Sequence, residues 1–257
     1  MKLLIIRHGE PDYAHDTLTE KGWREALYLA ERIAPLDVKQ YYVSPLGRAQ
    51  DTARPTLEKA GRTAVTLDWL REFTGFIRRP DRPDRDSIAW DWLPQDWTAD
   101  ERFFSDRLWA ENEVMQAGGV RTADARCQPV PGGVGAVYEQ VVRSFDELLA
   151  RHGYQREGRL YRAVQPSNDT LVFFCHFALE CVLLSHLLNV SPMVLWHGLC
   201  AAPSSVTTVA TEERRPGVAS FRVLQFGDIS HLYAHGEPPS FMARFCECYG
   251  NEGQRPD

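Results

Sequence analysis

An arginine and a histidine stand together at the end of the first apolar run. Residues 2–6 read Lys-Leu-Leu-Ile-Ile, and Arg7, His8, Gly9 and Glu10 follow directly. Branched aliphatic residues that end at a glycine predict a buried strand, and open α/β sheets bind ligands at the rim where such strands end. A guanidinium pairs with phosphate oxygens, and a neutral imidazole can attack phosphorus. The tetrapeptide therefore suggests phosphoryl transfer through a histidine intermediate.

A second guanidinium follows another short strand. Residues 40–43 predict a strand, and the Ser-Pro-Leu-Gly-Arg-Ala-Gln-Asp-Thr-Ala run of residues 44–53 predicts a helix after it. We expect Ser44 to be the N-cap and Pro45 to lie in the first helical turn. Arg48 would then lie one turn into the helix, whose positive N-terminal end would face the same phosphate.

A second imidazole and a carboxylate complete the set of candidate residues. The continuous apolar run 170–175 predicts a buried strand that ends in His176, and residues 177–188 predict a buried helix. Residues 64–67 predict a further strand, and Glu72 follows it closely. We expect His176 to emerge at the same rim, and Glu72 to supply a proton to a leaving group.

Together these motifs resemble those of the histidine phosphatase superfamily, which has the phosphoglycerate-mutase-like fold. The resemblance covers residues 1–75 and resumes at about residue 135. It implies an α/β fold of three layers, α/β/α, around a mostly parallel central sheet. Four motifs match in order: the Arg-His-Gly-Glu start, Leu18-Thr19 with Gly22 and Ala26, the Ser-Pro-x-x-Arg-Ala-x-x-Thr-Ala helix, and the Leu-x-Glu element at 70–72. The late strand that ends in His176 completes the set.

The resemblance also implies a role for each candidate residue. His8 is the expected nucleophile, Arg7, Arg48 and His176 are expected to bind the phosphoryl group, and Glu72 is the expected general acid. The implied ligands are a small phosphorylated substrate and inorganic phosphate, with no metal and no cofactor. Two guanidiniums and an imidazole would stabilise the charge of the transferring group. Because Glu72 must carry a proton, we expect activity to be greatest on the acid side of neutral.

Two positions depart from the family pattern. The second histidine is usually followed by glycine, but here Phe177 follows it. Phe177 could pack over the substrate as an apolar wall, and its backbone N–H at a helix start could meet phosphate, so we include it among the substrate-binding residues. The Leu-Arg-Glu-Phe-Thr-Gly element also lacks the family's usual Trp-Glu-Gly continuation.

A long insertion, residues 76–134, stands in place of that continuation. It is rich in aromatic residues, and we interpret it as a cap with a helical stretch over about residues 100–116. Four arginines alternate with aspartates near its start, which favours a solvated charge ladder over an anion site: Arg78, Arg79, Arg82 and Arg85. The sequence leaves open whether the segment is a lid that selects substrates, a separate small core or a surface between two copies of a homodimer.

Composition fits one domain over residues 1–257. With 29 basic and 35 acidic residues the formal net charge is −6, so the chain lacks the basic field that binding to nucleic acid or to an anionic membrane requires. The first apolar run is too short for a signal peptide core or a membrane span. We therefore expect a cytoplasmic protein that binds neither nucleic acid nor membrane.

The remaining motifs predict scaffold. Six cysteines do not indicate a disulfide framework. Cys175 and Cys181 are expected to be buried thiols, while Cys246 and Cys248 lack a second ligand pair with zinc spacing.

The last third of the chain carries a hairpin and a tail. Residues 203–211 and 218–226 predict strands joined by residues 212–217, and we place this hairpin at the sheet edge. His231 lies in an Asp-x-x-His-Leu segment and is expected to be structural or peripheral to the site. Residues 237–257 are expected to form a loosely attached tail.

The function that these observations favour is hydrolysis of a phosphomonoester. A phosphoglycerate-type mutase is the alternative, but the segment between Glu10 and Leu18 is short and lacks the Trp-Asn-containing loop expected of cofactor-dependent mutases. A non-catalytic interaction module of the same fold is a third possibility. It is disfavoured by the four intact candidate residues His8, Arg48, Glu72 and His176. The sequence does not indicate which phosphorylated substrate is used.

Overall fold

A mixed sheet of eight strands forms the centre of the molecule and has helices on both faces. The computed structural model describes residues 1–122, 126–242, 244, 247–251 and 253. The strands are β1 (Lys2–Arg7), β2 (Pro11–Asp12), β3 (Thr17–Leu18), β4 (Gln40–Val43), β5 (Ala64–Thr66), β6 (Gly75–Ile77), β7 (Ser87–Ile88), β8 (Gly119–Arg121), β9 (Cys127–Pro129), β10 (Tyr154–Glu157), β11 (Leu160–Ala163), β12 (Thr170–Cys175), β13 (Val206–Arg215) and β14 (Val218–Asp228). The helices are α1 (Glu20–Ile33), α2 (Gly47–Ala60), α3 (Pro94–Trp97), α4 (Glu113–Ala117), α5 (Gly133–Arg151), α6 (Phe177–Leu188), α7 (Pro192–Gly198) and α8 (Ser230–Ala234).

The parallel half of the sheet positions the candidate residues. It has the order β1, β12, β4, β5, and each of its neighbouring pairs is parallel. In register, Ile6 lies opposite Phe174, and Phe174 lies opposite Val43, so three strands end at the same edge. The predicted strands in this half and the predicted helix α6 are confirmed. We call this edge, where the chain leaves β1, β4 and β12, the rim.

The other half of the sheet is antiparallel. From β1 it continues through β13, β14 and β11 to β10. The prediction that the hairpin of β13 and β14 lies at the sheet edge is wrong, because β10 and β11 extend the sheet beyond it. The strand β13 also continues to Arg215, and only Pro216 and Gly217 form the turn.

Side chains of β1 divide the core into two clusters, one on each face of the sheet. Leu3 and Ile5 pack into the cluster that contains α5 and α6, while Leu4 and Ile6 pack with α1 and α2. Successive side chains of a strand point to opposite faces, which explains this alternation. The continuous apolar run is thus buried on both sides, as a central parallel strand requires.

The inserted segment is less helical than predicted. Its strands form a separate antiparallel sheet in the order β7, β6, β8, β9. The helical stretch expected over residues 100–116 consists of 3-10 turns at Glu101–Phe104 and Trp109–Glu111 and the short helix α4, and it is not one α-helix. The side chains of Asp100 and Asn112 each accept backbone N–H groups and so begin new turns, which interrupts a longer helix.

Aromatic side chains of the inserted segment pack onto the main core. Trp92, Phe103 and Trp109 are 6%, 0% and 3% exposed and belong to the same cluster as the β1 side chains. The Trp109 ring centre lies 5.9 Å from that of Trp196 on α7 and 5.2 Å from that of Tyr138 on α5. These aromatic residues therefore do not form a core of their own.

The start of the tail contacts the first helix. Glu237 accepts hydrogen bonds of 2.9 and 3.3 Å from the Arg24 guanidinium. Cys175 and Cys181 are completely buried, as predicted, whereas Cys246 lies outside the described residues. Over the described part of the chain, no helix has the length and apolar character needed to cross a membrane, and no three His, Cys, Asp or Glu side chains form a group that could hold a metal ion.

Candidate functional site

His8 is the first residue after β1 and is almost completely buried, with 1% of its surface exposed. Its Nδ1 lies 2.8 Å from the carbonyl oxygen of Gly9, so Nδ1 carries the hydrogen and donates it. Nε2 then holds a lone pair and accepts a hydrogen bond of 3.3 Å from Nε of Arg48. Burial, with the charges of Arg7 and Arg48, holds the pKa of His8 well below its usual range. The ring is therefore neutral near pH 7, and its nucleophilic nitrogen faces a guanidinium.

The backbone of His8 is fixed on both sides. Its N–H donates to the Cys175 carbonyl of β12 (3.0 Å), and its carbonyl accepts from Ser204 (3.0 Å). Ser204 has a φ of +61°, a region that is costly for residues other than glycine, and its hydroxyl lies 3.0 Å from Nε2 of His231. His231 thus supports the backbone behind His8, consistent with the peripheral position expected for it.

A close approach of two backbones supports the turn after His8. A Cβ atom on Gly22 of α1 would lie 2.2 Å from the carbonyl oxygen of Glu10, so a side chain does not fit there. Gly9 donates its N–H to the Thr52 hydroxyl of α2 at 2.9 Å. The glycine of the first-helix motif therefore allows α1 to pack directly against the residues that follow the nucleophile.

Arg48 lies in the first turn of α2 and points to the rim. Its Nη1 forms an ion pair of 2.6 Å with Asp16, which also accepts the N–H of Gly47 at 2.7 Å. The predicted cap of this helix is wrong: α2 begins at Gly47 with Leu46 as N-cap, and both Ser44 and Pro45 precede it. The Ser44 hydroxyl accepts the Leu46 N–H at 3.2 Å in a local turn instead of capping the helix.

Arg7 is the last residue of β1 and is 2% exposed. Its Nη1 donates to the carbonyl oxygen of Ala201, while its Nε has no hydrogen-bond partner among the described residues. Its guanidinium carbon lies 5.8 Å from the ring centre of Phe177. Because unpaired buried N–H groups of a charged side chain cost free energy, this arrangement is suited to an anion that would pair with them.

His176 is the N-cap of α6 and is completely buried. Its ring centre lies 5.1 Å from that of His8, and its Nε2 lies 2.8 Å from the Ser44 hydroxyl. Its Nδ1 has no partner among the described residues. Burial, with the nearby His8 imidazole and the charges of Arg48 and Arg7, places the pKa of His176 well below its usual range.

Glu72 lies in the loop after a 3-10 turn at Asp68–Leu70, and its side chain is close enough to Arg7 and Arg48 for their charges to act on it. Its Oε1 accepts the N–H groups of Phe73 (2.9 Å) and Leu179 (3.1 Å), and the latter belongs to the first turn of α6. Burial raises the pKa of Glu72, although these hydrogen bonds and the charges of Arg48 and Arg7 act in the opposite direction. A carboxyl group that keeps its proton to a higher pH is suited to general-acid chemistry.

Phe177 opens α6 and is 6% exposed. Its ring packs in the core cluster and beside Arg7, so the structure places it next to the candidate site. In contrast, His15 is exposed and pairs with Asp12 at 2.7 Å. Asp16 borders the site through Arg48.

The arginines near the start of the inserted segment do not join the site as a group. The exposed Arg78 pairs with Asp86 and the partly exposed Arg82 pairs with Asp81, as predicted for a solvated ladder. Arg79 is a correction, because only 4% of its side chain is exposed and it pairs with both Asp81 and Asp91.

The sequence analysis did not place three buried residues near the rim among the site residues: Ser44, which it expected only as a helix cap, Glu25 and Glu180. Glu25 on α1 accepts the Glu10 N–H at 2.7 Å, and burial raises its pKa to about 7. Burial likewise raises the pKa of Glu180, which lies one turn after His176 in α6, to about 7. A carboxylate inside an otherwise apolar helical face, as at Glu180, is the signal that could have indicated it.

Comparison with protein families identifies the first part of the chain. Residues 3–116 match the model of the histidine phosphatase superfamily, branch 1. The 2,3-bisphosphoglycerate-dependent phosphoglycerate mutase of Thermoplasma acidophilum is 36% identical over 79 residues, which is 27% of this chain and 40% of that protein. A probable phosphatase of Schizosaccharomyces pombe is 38% identical over 82 residues, 28% of this chain and 39% of that protein. The alignments thus span about two fifths of the length of these curated relatives.

Solved structures resemble almost the whole chain. Phosphoserine phosphatase from Entamoeba histolytica, in complex with 3-phosphoglyceric acid, has a TM-score of 0.55 and 17% identity and covers 90% of this chain and 98% of its own. A mycobacterial glucosyl-3-phosphoglycerate phosphatase has a TM-score of 0.55 and 19% identity and covers 88% of this chain and 98% of its own. At these identities the likeness establishes the shared α/β fold. Residues 3–116, which carry the first three motifs and Glu72, thus match the histidine phosphatase superfamily, and the rest of the chain completes the α/β fold shared with these structures.

Proposed function

We propose that this protein is a phosphomonoester hydrolase that works through a phosphohistidine intermediate on His8. The observation that carries the proposal is the set of unpaired polar atoms around the nucleophile. Nε of Arg7 and Nδ1 of His176 are buried without partners among the described residues, and the lone pair of His8 meets only the Arg48 guanidinium there. A phosphoryl group would pair with these atoms.

In the first step, Nε2 of His8 attacks phosphorus while the bond from phosphorus to the ester oxygen breaks. Arg7, Arg48 and His176 stabilise the charge on the equatorial oxygens, and Glu72 transfers its proton to the leaving oxygen. The products are phosphohistidine, an alcohol and a Glu72 carboxylate. No further reactant is required for this step.

In the second step, water attacks the phosphorus of phosphohistidine. The Glu72 carboxylate accepts a proton from that water, the bond to Nε2 of His8 breaks, and inorganic phosphate leaves. Glu72 and His8 then return to their starting protonation states. The same carboxyl group thus acts first as acid and then as base.

The position of Glu72 supports this double role. Two backbone N–H groups hold Oε1, and no hydrogen bond reaches Oε2 from the residues that the structure describes. Oε2 is therefore the atom that can carry and release the proton. The raised pKa of Glu72 keeps the acid form available at a higher pH than is usual for a glutamate.

A phosphoglycerate-type mutase is a second candidate, because the Thermoplasma acidophilum relative is named as one. A mutase would transfer the phosphoryl group from His8 to a second hydroxyl instead of to water. The loop between β2 and β3 is short, and its Asp16 is engaged with Arg48. A loop this short offers few residues that could hold a released intermediate, which favours hydrolysis.

Phosphate release from a panel of phosphomonoesters tests the proposal. The panel contains p-nitrophenyl phosphate and, guided by the names of the structural neighbours, phosphoserine and 3-phosphoglycerate. The enzyme should release phosphate from at least one compound, and His8→Ala should abolish the release. Interconversion of 2- and 3-phosphoglycerate without net phosphate would identify a mutase. If the folded protein shows neither reaction, the proposal fails and a binding module is the better account.

A further inference from the structure

The hydroxyl of Ser44 contacts the second histidine of the site, His176. Ser44 follows β4 and is completely buried. Its Oγ lies 2.8 Å from Nε2 of His176, on the side of the ring that faces away from Nδ1. The same oxygen accepts the backbone N–H of Leu46 at 3.2 Å.

The direction of the Ser44 hydrogen bond follows from counting donors and acceptors. A serine hydroxyl has one hydrogen and two lone pairs, and one lone pair already accepts the Leu46 N–H. Among the described residues, Nε2 of His176 is the one acceptor within reach of the hydroxyl hydrogen. If Nε2 instead donated its hydrogen to Oγ, the hydroxyl hydrogen of Ser44 would be buried without an acceptor among these residues, which costs free energy. Ser44 therefore donates, and Nε2 accepts.

This direction fixes where the His176 ring carries its hydrogen. Burial and the neighbouring positive charges keep the ring neutral near pH 7. A neutral imidazole whose Nε2 is an acceptor carries its hydrogen on Nδ1. Nδ1 is buried and has no partner among the described residues, so there it is a donor without an acceptor.

We propose that Ser44 is a positioning residue that selects the Nδ1–H tautomer of His176, so that this ring donates a hydrogen bond to a phosphoryl oxygen. The opposite tautomer would turn a lone pair toward the phosphoryl oxygens and repel them. The inference rests on the proposed function for its catalytic consequence. The tautomer itself does not depend on turnover.

The two histidines then differ in a simple way. Gly9 accepts the Nδ1 hydrogen of His8, so Nε2 keeps the lone pair that faces Arg48 and attacks phosphorus. Ser44 occupies the Nε2 lone pair of His176 and leaves the Nδ1 hydrogen free to bind. Both rings carry their hydrogen on Nδ1, but one presents a nucleophile and the other presents a donor.

Imidazole nitrogen NMR of histidine-labelled protein tests the tautomer directly. Comparison with His176→Asn assigns the signals of His176. We expect a protonated Nδ1 and an unprotonated Nε2 in the wild type, and a shift toward protonated Nε2 in Ser44→Ala. A wild-type spectrum with the hydrogen on Nε2 would overturn the inference, whether or not any variant folds.

Kinetics and inorganic phosphate binding test the consequence. Because one donor to the phosphoryl group is lost or reversed, Ser44→Ala should lower kcat by about 10²-fold and weaken inhibition by phosphate about tenfold. Ser44→Thr keeps the hydroxyl and should recover most of both. Ser205→Ala is the matched control, because Ser205 is also buried (2% exposed) and its hydroxyl has no partner among the described residues.

The possible failures are distinguishable. A folded Ser44→Ala with kcat and phosphate affinity within twofold of the wild type would contradict the role of Ser44. A wild type without phosphatase activity would instead contradict the proposed function. In that case the nitrogen spectrum and the binding of phosphate would still decide the tautomer.

Discussion

The rim and the inserted segment each bury an arginine, but they pair it differently. Arg79 in the segment donates to Asp81 from two nitrogens (2.8 Å each) and to Asp91 from a third (3.0 Å). Arg7 at the rim donates to one carbonyl, and its Nε has no partner among the described residues. A buried charge with its own counterions is part of the scaffold, whereas one with unused donors is prepared for a ligand. The two regions therefore differ in whether the N–H groups of the buried arginine have hydrogen-bond partners, and not in burial alone.

Loss of His8 should have the largest effect on activity. His8→Ala removes the atom that attacks phosphorus, so we expect kcat/KM to fall by about 10⁴-fold or more. His15→Ala is the matched control, because in the described part of the chain this exposed histidine pairs with Asp12 alone. Phosphate release by both variants, with circular dichroism to verify folding, makes the comparison. Substantial activity in His8→Ala would contradict the role of His8 as the nucleophile, and with it the assignment of the reaction to the rim.

The effect of removing the acidic proton of Glu72 should depend on the leaving group of the substrate. Glu72→Gln should lower kcat/KM by about 10²- to 10⁴-fold for an alkyl phosphate, whose leaving oxygen needs a proton. The loss should be much smaller for p-nitrophenyl phosphate, because p-nitrophenolate leaves without one. Equal losses for both substrates would contradict the role of Glu72 as acid.

The pH dependence follows from the same carboxyl group. Since burial raises the pKa of Glu72, kcat/KM of the wild type on alkyl phosphates should fall as the pH rises through this raised pKa, at a higher pH than an ordinary glutamate would give. His8 adds no loss in this range, because its lowered pKa keeps it neutral. A flat profile with an alkyl phosphate at non-saturating concentration would count against this assignment.

Glu25 should show the cost of burying a carboxyl group near the rim. Its pKa is about 7 in the folded protein against 4.5 for an ordinary glutamate, so ionisation favours the unfolded chain as the pH rises from 4.5 to 7. Glu25→Gln should therefore raise the free energy of unfolding by roughly 3 kcal/mol at pH 8 and by little at pH 4. Urea unfolding at both pH values measures the difference, and the exposed Glu58→Gln is the control. An equal effect at both pH values would show that Glu25 does not titrate in this range.

The charged pairs of the inserted segment should affect stability only. Arg79→Ala leaves two partly exposed aspartates without their partner, and we expect a loss of about 1–3 kcal/mol. Arg78→Ala removes an exposed pair and should change stability by less than about 0.5 kcal/mol. Activity on p-nitrophenyl phosphate should be retained by both variants at a temperature where they are folded. If Arg79→Ala stayed fully stable but lost activity, Arg79 would belong to the site and not to the scaffold.

The parallel half of the fold could be predicted because its signals are local. Each strand that leads to the rim is a continuous apolar run, and burial on both faces is what such a run indicates. The residue after each run could then be assigned to the same edge of the sheet. This reasoning located His8 and His176 before any contact was known.

The errors arose where distant contacts decide the local structure. Ser44 has the side chain of an N-cap, but its hydroxyl contacts His176, which lies 132 positions later in the chain. The strands of the inserted segment have only two or three residues, and β6 pairs with β8 more than 40 positions away. Too few residues remain in such strands for a periodic pattern to be visible.

Trapping the phosphoenzyme tests the central claim most directly. The enzyme is mixed with its best substrate from the panel and quenched in alkali, in which phosphohistidine survives, and the tryptic peptides are sequenced by mass spectrometry. The account predicts a phosphoryl group on His8 in the peptide of residues 8–21, with His15 of the same peptide unmodified. Turnover without any phosphoryl group on His8, or with the group on another residue, would contradict it.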